Sequence, residues 1–351
     1  MLFRSVTFMK KTKKKSNRKR IPLIILSVFL TVVIVLGVGA TVLMTQTMNL
    51  INRDVAVKET LSEEEIESIL QETEPEDEEF VGEELDEEEI VLDHENVELL
   101  GQESDIINIM LIGQDRRENE GRQRSDSMIL CTVNLEEKTL VMTSFLRDTY
   151  VKIPSWNDKH YANNRLNVNY AIGGMEMLDQ CMKENFGIVV DYNIEVDFSG
   201  FTKIVDTMGG VDIELTKAEA GYLQNGMKSG MNHMNGEQAL VYSRIRKLDN
   251  DFYRTNRQRN VLMALLNKAR SMNLMEATEL ITTVLPMITT DMSNGDMLEV
   301  AAQIVPILSE LQVTTQYIPA EGTYRHSSIR GMSVLVPDLE ANRQILKDTI
   351  G

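Results

Sequence analysis

Three apolar runs of strand length follow one another early in the second hundred residues: Ile106–Ile112, Met128–Val133 and Leu140–Leu146. Their length and their apolar, partly β-branched composition are typical of buried β-strands. The short polar segment 134–139, with two glutamates and a lysine at its tip, predicts a hairpin between the second and third strands. If the first strand also lies antiparallel to the second, the ends of all three strands meet at one edge of a sheet.

That edge would gather charged side chains from three parts of the chain. The first strand ends at Asp115 and Arg116, the second begins after Arg124 and Asp126, and the third ends at Arg147 and Asp148. Acids and guanidinium groups brought together at a sheet edge need a compensating ligand, metal or partner charge. Carboxylates suit a hard cation, and arginine forks suit phosphate oxygens. For any one of these charges alone, a solvated loop position around the hairpin is the favoured interpretation, but the cluster indicates a site.

Strands alternate with helices in the rest of the chain, which predicts an α/β fold: a three-layer α-β-α sandwich with a central mixed sheet. The apolar spacing predicts helices at Met175–Phe186 and Gly200–Met208, the latter closed by Gly209-Gly210, with strands at Tyr192–Val196 and Val211–Leu215. The last 80 or so residues indicate helical stretches Leu274–Met287 and Asp296–Leu311, a strand Thr314–Ile318, and a terminal strand and helix.

A second charged segment covers residues 230–262. Its pattern predicts a short helix Asn235–Leu240 and then a strand Val241–Arg246, in which Tyr242, Arg244 and Arg246 would share one face. A helix at Arg254–Ala269 follows.

That helix would place Arg254, Arg257 and Gln258 on one face, because they are three and four residues apart. Asp251 lies just before it, where an acid is able to cap the helix or accept a proton. Arginine at most of these positions suits bidentate contact with phosphate or pyrophosphate. Arg/Asp salt bridges on a solvated surface explain this segment alone equally well.

The N-terminal region predicts a membrane anchor. Ile21–Met44 has no charged residue, and at about 1.5 Å per residue it would span roughly 36 Å, enough for a bilayer core. A cleaved signal peptide has a shorter apolar region, so length favours an uncleaved anchor, although Val38-Gly39-Ala40 resembles a cleavage site. Residues 1–20 carry nine Lys or Arg and no acid, which predicts a cytoplasmic N-terminus and an extracytoplasmic body.

The net charge of −18 is divided unevenly along the 351 residues. Residues 54–105 carry 23 acids against the single Lys58, so we expect residues 45–105 to form an acidic, extended or partly helical linker. Residues 106–351, the expected catalytic domain, are only mildly acidic. Cys131 and Cys181 give no disulfide framework; two core thiols or one bridge both remain open.

Six motifs in order carry a resemblance to a known family: GQDRR, RSDSMIL, SFLRDTYVKIP, RLNVNYAIGG, VDFSGFTKIVDTMGGVDIEL and GMNHMNGEQALVYSRIR followed by DFYRTNRQ. Together they resemble the LytR-CpsA-Psr (LCP) family from about Ile106 to Gln258. The family also has a single N-terminal membrane anchor. Its members transfer an anionic glycopolymer, such as teichoic acid or capsule, from an undecaprenyl-pyrophosphate carrier to peptidoglycan.

The resemblance implies roles for the charged residues singled out above. It implies Asp115 and Asp126 as ligands of Mg²⁺, and a catalytic group made up of Arg147, Asp251, Arg244 and Arg246. It implies that pyrophosphate is bound by Arg116, Arg124, Arg147, Arg165, Arg244, Arg246, Arg254 and Gln258. Many members carry lysine at the position of Arg165. Asp251 is implied to activate the acceptor hydroxyl, and Tyr253 replaces a small residue beside it.

The chemistry implied is attack of a sugar hydroxyl on the polymer-bearing phosphorus, in which catalysis is mostly positioning and charge stabilisation. Two alternatives stay open: a polyprenyl-pyrophosphate hydrolase using the same site, and a non-catalytic membrane-anchored regulator or wall-binding protein. No helix-turn-helix pattern or basic DNA-binding face is present in the sequence, so no nucleic-acid partner is expected. The sequence does not identify the polymer, the acceptor or the oligomeric state.

Overall fold

The structure is a computed structural model that describes residues 51–53, 61–71, 83–92, 97–114, 122–224, 226–246, 248, 251–272, 276, 280 and 283–351. The predicted anchor at 21–44 lies outside them. Within them, no helix is long and apolar enough to cross a membrane.

The described strands are β1 (Asn52–Arg53), β2 (Glu83–Glu84), β3 (Ile106–Gln114), β4 (Ser125–Asn134), β5 (Thr139–Phe145), β6 (Tyr150–Val151), β7 (Asn164–Arg165), β8 (Tyr192–Asp197), β9 (Val211–Leu215), β10 (Gly230–Met234), β11 (Ile288–Thr290), β12 (Gln312–Ile318), β13 (Tyr324–Ile329) and β14 (Met332–Pro337). The helices are α1 (Glu63–Gln71), α2 (Val168–Phe186), α3 (Phe198–Thr207), α4 (Lys217–Leu223), α5 (Gly236–Ser243), α6 (Asp251–Ala269), α7 (Asn294–Ile304) and α8 (Leu339–Ile350). Short 3-10 turns occupy Glu87–Glu89, Leu285–Met287 and Val305–Ile307.

The main sheet has the strand order β1-β11-β8-β3-β4-β5-β12. Strands β3, β4 and β5 are consecutive antiparallel neighbours, whereas β8 joins β3 and β12 joins β5 in parallel. The β4–β5 turn forms where the sequence predicts it: the Asn134 side chain accepts a hydrogen bond from the Glu137 amide at 2.7 Å, and Lys138 adopts a positive φ of 55°. The predicted hairpin and central mixed sheet are confirmed.

Alternation along the strands gives the sheet two apolar faces, because successive side chains point to opposite sides. Met110 and Leu130 face one layer, which packs against α2 and α8, while Ile107 and Ile129 face the other layer, which packs against α6. The cysteines are both free: Cys131 lies on the α6 side and Cys181 in the α2 layer. The three-layer sandwich expected from the sequence is therefore present.

The described parts of the acidic segment before residue 106 pack on this fold. Strand β1 pairs with β11, and β2 pairs with β13. Ile66, Leu85, Ile90 and Leu100 are buried. The few apolar residues of this highly charged segment pack mainly against side chains from the rest of the fold. The described parts of 45–105 thus include a helix, one of the two forms expected for this segment, and they pack against the rest of the fold.

Several element boundaries differ from the predicted ones. Helix α2 begins at Val168, seven residues earlier than expected, and continues through Gly174, which has a positive φ of 65°. The stretch Asp296–Leu311 is helical only as far as Ile304, where Val305–Ile307 tightens into a 3-10 turn containing a proline. Strand β13 was not predicted, because its sequence YRHSSI has little apolar content.

Candidate active site

The ends of β3, β4 and β5 meet at one edge of the sheet. Gln114 is paired with Ser125, and Met128 is paired with Phe145. This register brings the segment before β4 beside the residues that follow β5, as the antiparallel arrangement requires. The predicted gathering of Arg124, Asp126, Arg147 and Asp148 is observed, while Asp115 and Arg116 lie outside the described residues.

Asp126 is the carboxylate at the centre of this edge. Its Oδ1 accepts hydrogen bonds from Arg147 at 3.0 Å and from Arg246 at 3.3 Å. Burial by itself raises the pKa of Asp126, but the charges of Arg147, Arg254 and Arg246 outweigh it and hold the pKa below its usual value. Asp126 is therefore ionised at neutral pH.

Arg147 is also held by a second acid. Its side chain is only 6% exposed, and its Nε lies 3.5 Å from Asp148 Oδ2. The other oxygen of Asp148 lies 3.6 Å from the Nε of Arg165. This chain of alternating charges fixes the Arg147 guanidinium between two carboxylates, so its position does not depend on a ligand.

A cleft of about 1050 Å³ opens from this edge. The charged side chains that line it, among the described residues, are five arginines and one aspartate: Arg124, Arg147, Arg244, Arg246, Arg254 and Asp126. Its remaining walls are largely apolar and come from the sheet and the flanking helices, including Ile129, Ile194, Phe201, Ile204, Leu262 and Leu265. The cleft thus combines a cationic end with a large apolar volume.

The predicted strand at Val241–Arg246 is wrong. Helix α5 continues to Ser243, and Arg244 forms its C-cap. The helix starts from a capping box in which Asn235 and Gln238 satisfy each other's backbone amides, and it runs three residues further than the expected end at Leu240. Arg244 and Arg246 still both reach the cleft: the Arg244 guanidinium lies 4.3 Å from the centre of the Phe198 ring, and Arg246 contacts Asp126.

Helix α6 contributes to the cleft two of the three polar side chains that were expected to share one face. Arg254 is 2% exposed and lines the cleft together with Gln258, whose Oε1 accepts a hydrogen bond from Ser127 at 3.1 Å. Arg257 points elsewhere, which corrects the prediction of one shared face. It donates to Glu219 at 2.7 Å and to the Ile245 carbonyl at 3.0 Å, and so ties α6 to α4 and to the segment after α5.

Of three further predicted site residues, one lines the cleft, one does not line it, and one has a side chain outside the described part of the structure. Arg124 lines the cleft and donates a hydrogen bond to the Ile69 carbonyl near the C-terminus of α1. Arg165 is 1% exposed and donates to the Ser333 carbonyl at 3.0 Å; it is not among the described residues that line the cleft. Asp251 is the first residue of α6 rather than a residue before it, and its side chain lies outside the described part of the structure.

The predicted metal site is only partly described. Both arginine hydrogen bonds to Asp126 fall on Oδ1, which leaves Oδ2 not engaged by either of them. A hard cation prefers such a carboxylate oxygen. The second predicted ligand, Asp115, lies outside the described residues, and within those residues no group of three or more His, Cys, Asp or Glu is placed to hold a metal. Asp126 is thus a suitable single ligand for Mg²⁺.

A polar network behind the cleft was missed by the sequence analysis. Gln114, fully buried, donates to the buried Glu195, which also accepts a hydrogen bond from the Tyr170 hydroxyl. The Gln114 Oε1 accepts from the Gln123 backbone amide at 3.0 Å. This network fixes the segment that carries Arg124 into the cleft. The only signal for it in the sequence is a glutamine at the end of an apolar strand.

The family model described as the LytR_cpsA_psr family matches residues 56–350. The chain belongs to this family. The resemblance drawn from the six motifs is therefore confirmed, and the match extends well into the acidic segment, whose described parts pack on the domain.

Curated relatives include the polyisoprenyl-teichoic acid–peptidoglycan teichoic acid transferases TagU of Bacillus licheniformis and TagT of Bacillus subtilis. TagU is 36% identical over 171 residues, which cover 48% of this chain and 54% of TagU. TagT is 32% identical over 182 residues, which cover 48% of this chain and 54% of TagT. The matched region thus spans about half the length of these relatives.

Solved structures share the fold over a larger part of the chain. The protein gbs0355 of Streptococcus agalactiae has a TM-score of 0.59 and 26% identity, covering 70% of this chain and 88% of that one. The crystal structure of B. subtilis TagT has a TM-score of 0.56 and 26% identity, covering 71% and 92%. The mixed α/β architecture described above is thus that of solved members of the family.

Proposed function

We propose that the chain is a membrane-anchored, Mg²⁺-dependent phosphotransferase that moves an anionic glycopolymer, such as teichoic acid or capsule, from an undecaprenyl-pyrophosphate carrier to peptidoglycan. The observation that carries the proposal is the cleft, which joins five arginines at one end to a large apolar volume. A polyprenyl pyrophosphate has the same two parts, a doubly phosphorylated head and a long apolar tail. The transferase names of the curated relatives support the same substrates.

The arginines would bind the pyrophosphate. Arg147 and Arg246 meet at Asp126, and Arg254 lies close enough to lower its pKa, so three guanidinium groups converge on one region of the cleft. Guanidinium groups bind phosphate oxygens through paired, charge-assisted hydrogen bonds. Because Arg147 is already fixed by Asp126 and Asp148, little conformational entropy is lost when the substrate binds.

In the reaction, an acceptor sugar hydroxyl attacks the polymer-bearing phosphorus. A new oxygen–phosphorus bond forms, the bond to the bridging oxygen breaks, and polyprenyl phosphate leaves with the electron pair. The arginines stabilise the charge that develops on the leaving phosphate. Asp251, at the start of α6, is the proposed acceptor of the hydroxyl proton. When Mg²⁺ is bound, held by Asp126 together with Asp115, it supplies further neutralisation of the pyrophosphate charge.

The location we propose follows from the sequence. The uncharged segment Ile21–Met44 would form the single membrane span, with the basic residues before it in the cytoplasm. The domain that carries the cleft would then lie outside the cell, on the side where peptidoglycan is built.

The experiment that tests this function uses the full chain in detergent micelles. A polyprenyl-pyrophosphate oligosaccharide with a labelled sugar is incubated with uncross-linked peptidoglycan, and covalent attachment of the label is measured. Attachment that depends on the protein supports the transferase. Release of the labelled sugar phosphate without attachment would show hydrolysis instead, and no turnover with retained lipid binding would show a binding protein.

A further inference from the structure

A cluster of aromatic side chains lies at the N-terminal end of α6, outside the cleft described above. Phe252 lies between two tyrosines: its ring centre is 5.0 Å from that of Tyr317, in an edge-on arrangement, and 5.3 Å from that of Tyr324, nearly stacked. Tyr324 in turn meets the His326 ring edge-on at 5.4 Å. We call these four residues together with the neighbouring Tyr253 the aromatic platform.

The platform is open to solvent. Tyr253 is 57% exposed, His326 is exposed, and Tyr317 and Tyr324 are each partly exposed. Large aromatic rings normally lose such exposure on folding, since burying them is favourable. Rings that pack against one another and still present part of their surface to water form a ready binding surface. Little side-chain entropy remains to be lost on binding.

The inner side of the platform is fixed by a buried arginine. Arg259, 5% exposed, donates to the Ser144 hydroxyl at 2.7 Å and to the Gln316 carbonyl at 3.2 Å. Its guanidinium carbon lies 5.9 Å from the centre of the Tyr317 ring. The Tyr317 side of the platform is therefore anchored, through Arg259, to β5 and β12 of the main sheet.

The charge around the platform differs from that of the cleft. Glu321 is exposed and close enough to raise the pKa of both Tyr317 and Tyr324, after the larger effect of burial. Arg325 falls between Tyr324 and His326 in β13, so strand alternation directs it to the opposite face. A polyanion would therefore meet a carboxylate here, whereas the cations that would attract it line the cleft. The platform suits an uncharged ligand surface.

The position of the platform relates it to the reaction. Phe252 and Tyr253 immediately precede Arg254 in the first turn of α6, and Arg254 lines the cationic end of the cleft. A ligand lying on the platform would thus end beside the arginines, next to the place proposed for the reacting phosphorus and away from the apolar walls. This is the place that an acceptor must occupy.

We propose that the aromatic platform binds the acceptor glycan chain, with pyranose rings stacked on its aromatic faces. The inference rests on the proposed function, because it assigns the acceptor side of the same site. Pyranose sugars carry C–H groups on their faces, which pack against the electron-rich face of an aromatic ring, and hydroxyl and acetamido groups at their edges. The tyrosine hydroxyls and the nearby Glu321 carboxylate are groups able to hydrogen-bond those edges.

The test measures binding of the full chain in detergent micelles to peptidoglycan sacculi from which attached polymers have been removed. Tyr253→Ala and Tyr324→Ala should each weaken binding by roughly tenfold, as expected for the loss of one stacking ring. Tyr253→Phe keeps the ring and should bind nearly as the parent. Met231→Ala, which removes an apolar side chain 69% exposed on β10, is the matched control and should not change binding. Thermal unfolding confirms that each variant is folded.

A second measurement separates this inference from the proposed function. In the transfer assay, both platform variants should raise the KM for the acceptor and leave the KM for the lipid donor unchanged. If the variants transfer with an unaltered KM for the acceptor, or if neither alanine changes binding to sacculi, the platform does not bind the acceptor glycan. The proposed transferase function would be unaffected by that result. If binding to sacculi depends on the aromatic rings but the parent shows no transfer, the proposed transferase function is wrong and the glycan-binding role of the platform is retained. Glycan strands stripped of their stem peptides should still bind; loss of binding would mean that the rings contact peptide and would overturn the inference.

Discussion

Asp126 shows how a single residue decides the electrostatics of the cleft. Without it, the guanidinium groups of Arg147 and Arg246 would face one another with no intervening negative charge. With it, the arginines are held close together before any substrate arrives. The free energy of bringing the cations together is thus contributed by folding rather than by substrate binding, which is the physical meaning of preorganisation.

Asp179, in contrast, is an acid whose ionised form the fold disfavours. Burial, with Asp291 and Glu176 nearby, raises the pKa of Asp179 to about 8, although its Oδ2 accepts a hydrogen bond from Asn193 at 2.8 Å. The folded state therefore binds a proton more tightly than the unfolded state, so the contribution of Asp179 to stability falls as pH rises from about 4 to about 8.

Replacement of this acid by its neutral isostere tests that statement. Asp179→Asn keeps an oxygen able to accept from Asn193 and removes the titration. The variant and the parent should unfold at nearly the same urea concentration at pH 4, and the variant should be the more stable of the two at pH 8. A stability difference that does not change with pH would contradict the raised pKa.

At the scale of elements, the ion pair between Arg257 and Glu219 joins α6 to α4. Both side chains are nearly buried, at 3% and 10% exposure. Arg257→Ala should lower the free energy of unfolding by roughly 3–5 kcal/mol, because the Glu219 carboxylate would be left buried without its cation. Urea denaturation measures the loss. Adding Glu219→Gln to an Arg257→Met variant should recover part of the lost free energy of unfolding. If Arg257→Ala lowers the free energy of unfolding only as much as replacing an exposed arginine does, the assigned structural role is wrong.

Helix α1 brings the acidic segment to the edge of the cleft. Ile66 is buried in the layer that contains α2, and the carbonyls of Ile69 and Leu70 accept hydrogen bonds from Arg124 and Asn164. The helix therefore positions one of the cleft arginines. Its sequence does carry a signal for a packed helix: Ile66, Ile69 and Leu70 are three and four residues apart, and all three pack against the layer that contains α2.

Removing that isoleucine side chain tests the coupling. Ile66→Ala should lower the free energy of unfolding by about 2 kcal/mol through lost burial. It should also raise the KM for the lipid donor, since Arg124 loses its carbonyl partner when α1 loosens. Ser68→Ala, on the exposed face of the same helix, serves as the control. If the Ile66 variant is measurably destabilised but the KM for the lipid donor is unchanged, α1 stabilises the fold without positioning Arg124 for donor binding.

For the molecule as a whole, the central strands β3, β4, β5, β8 and β12 and the long helices α2 and α6 were predictable from sequence because apolar periodicity reports burial directly. The edge that carries Asp126 and Arg147 followed from topology alone, since antiparallel neighbours must share their ends. What could not be predicted depends on tertiary contacts. Arg257 and Gln258 are adjacent in sequence, yet one pairs with Glu219 and the other lines the cleft. The segment Val241–Arg246 has an extended pattern, but its first three residues complete the helix that begins at Gly236, in which Ala239 and Tyr242 are buried.

The most direct test of the account as a whole compares two arginines in the transfer assay, each with and without Mg²⁺. Arg147→Ala removes a buried cation of the cleft that is held between two carboxylates, whereas Arg330→Ala removes a half-exposed arginine that is not among the described cleft-lining residues. The account predicts that the first variant loses transfer by on the order of 100-fold, that the second keeps it, and that withdrawing Mg²⁺ abolishes transfer by the parent. Equal activity of the two variants, in folded protein, would contradict the assignment of this cleft as the site of phosphoryl transfer.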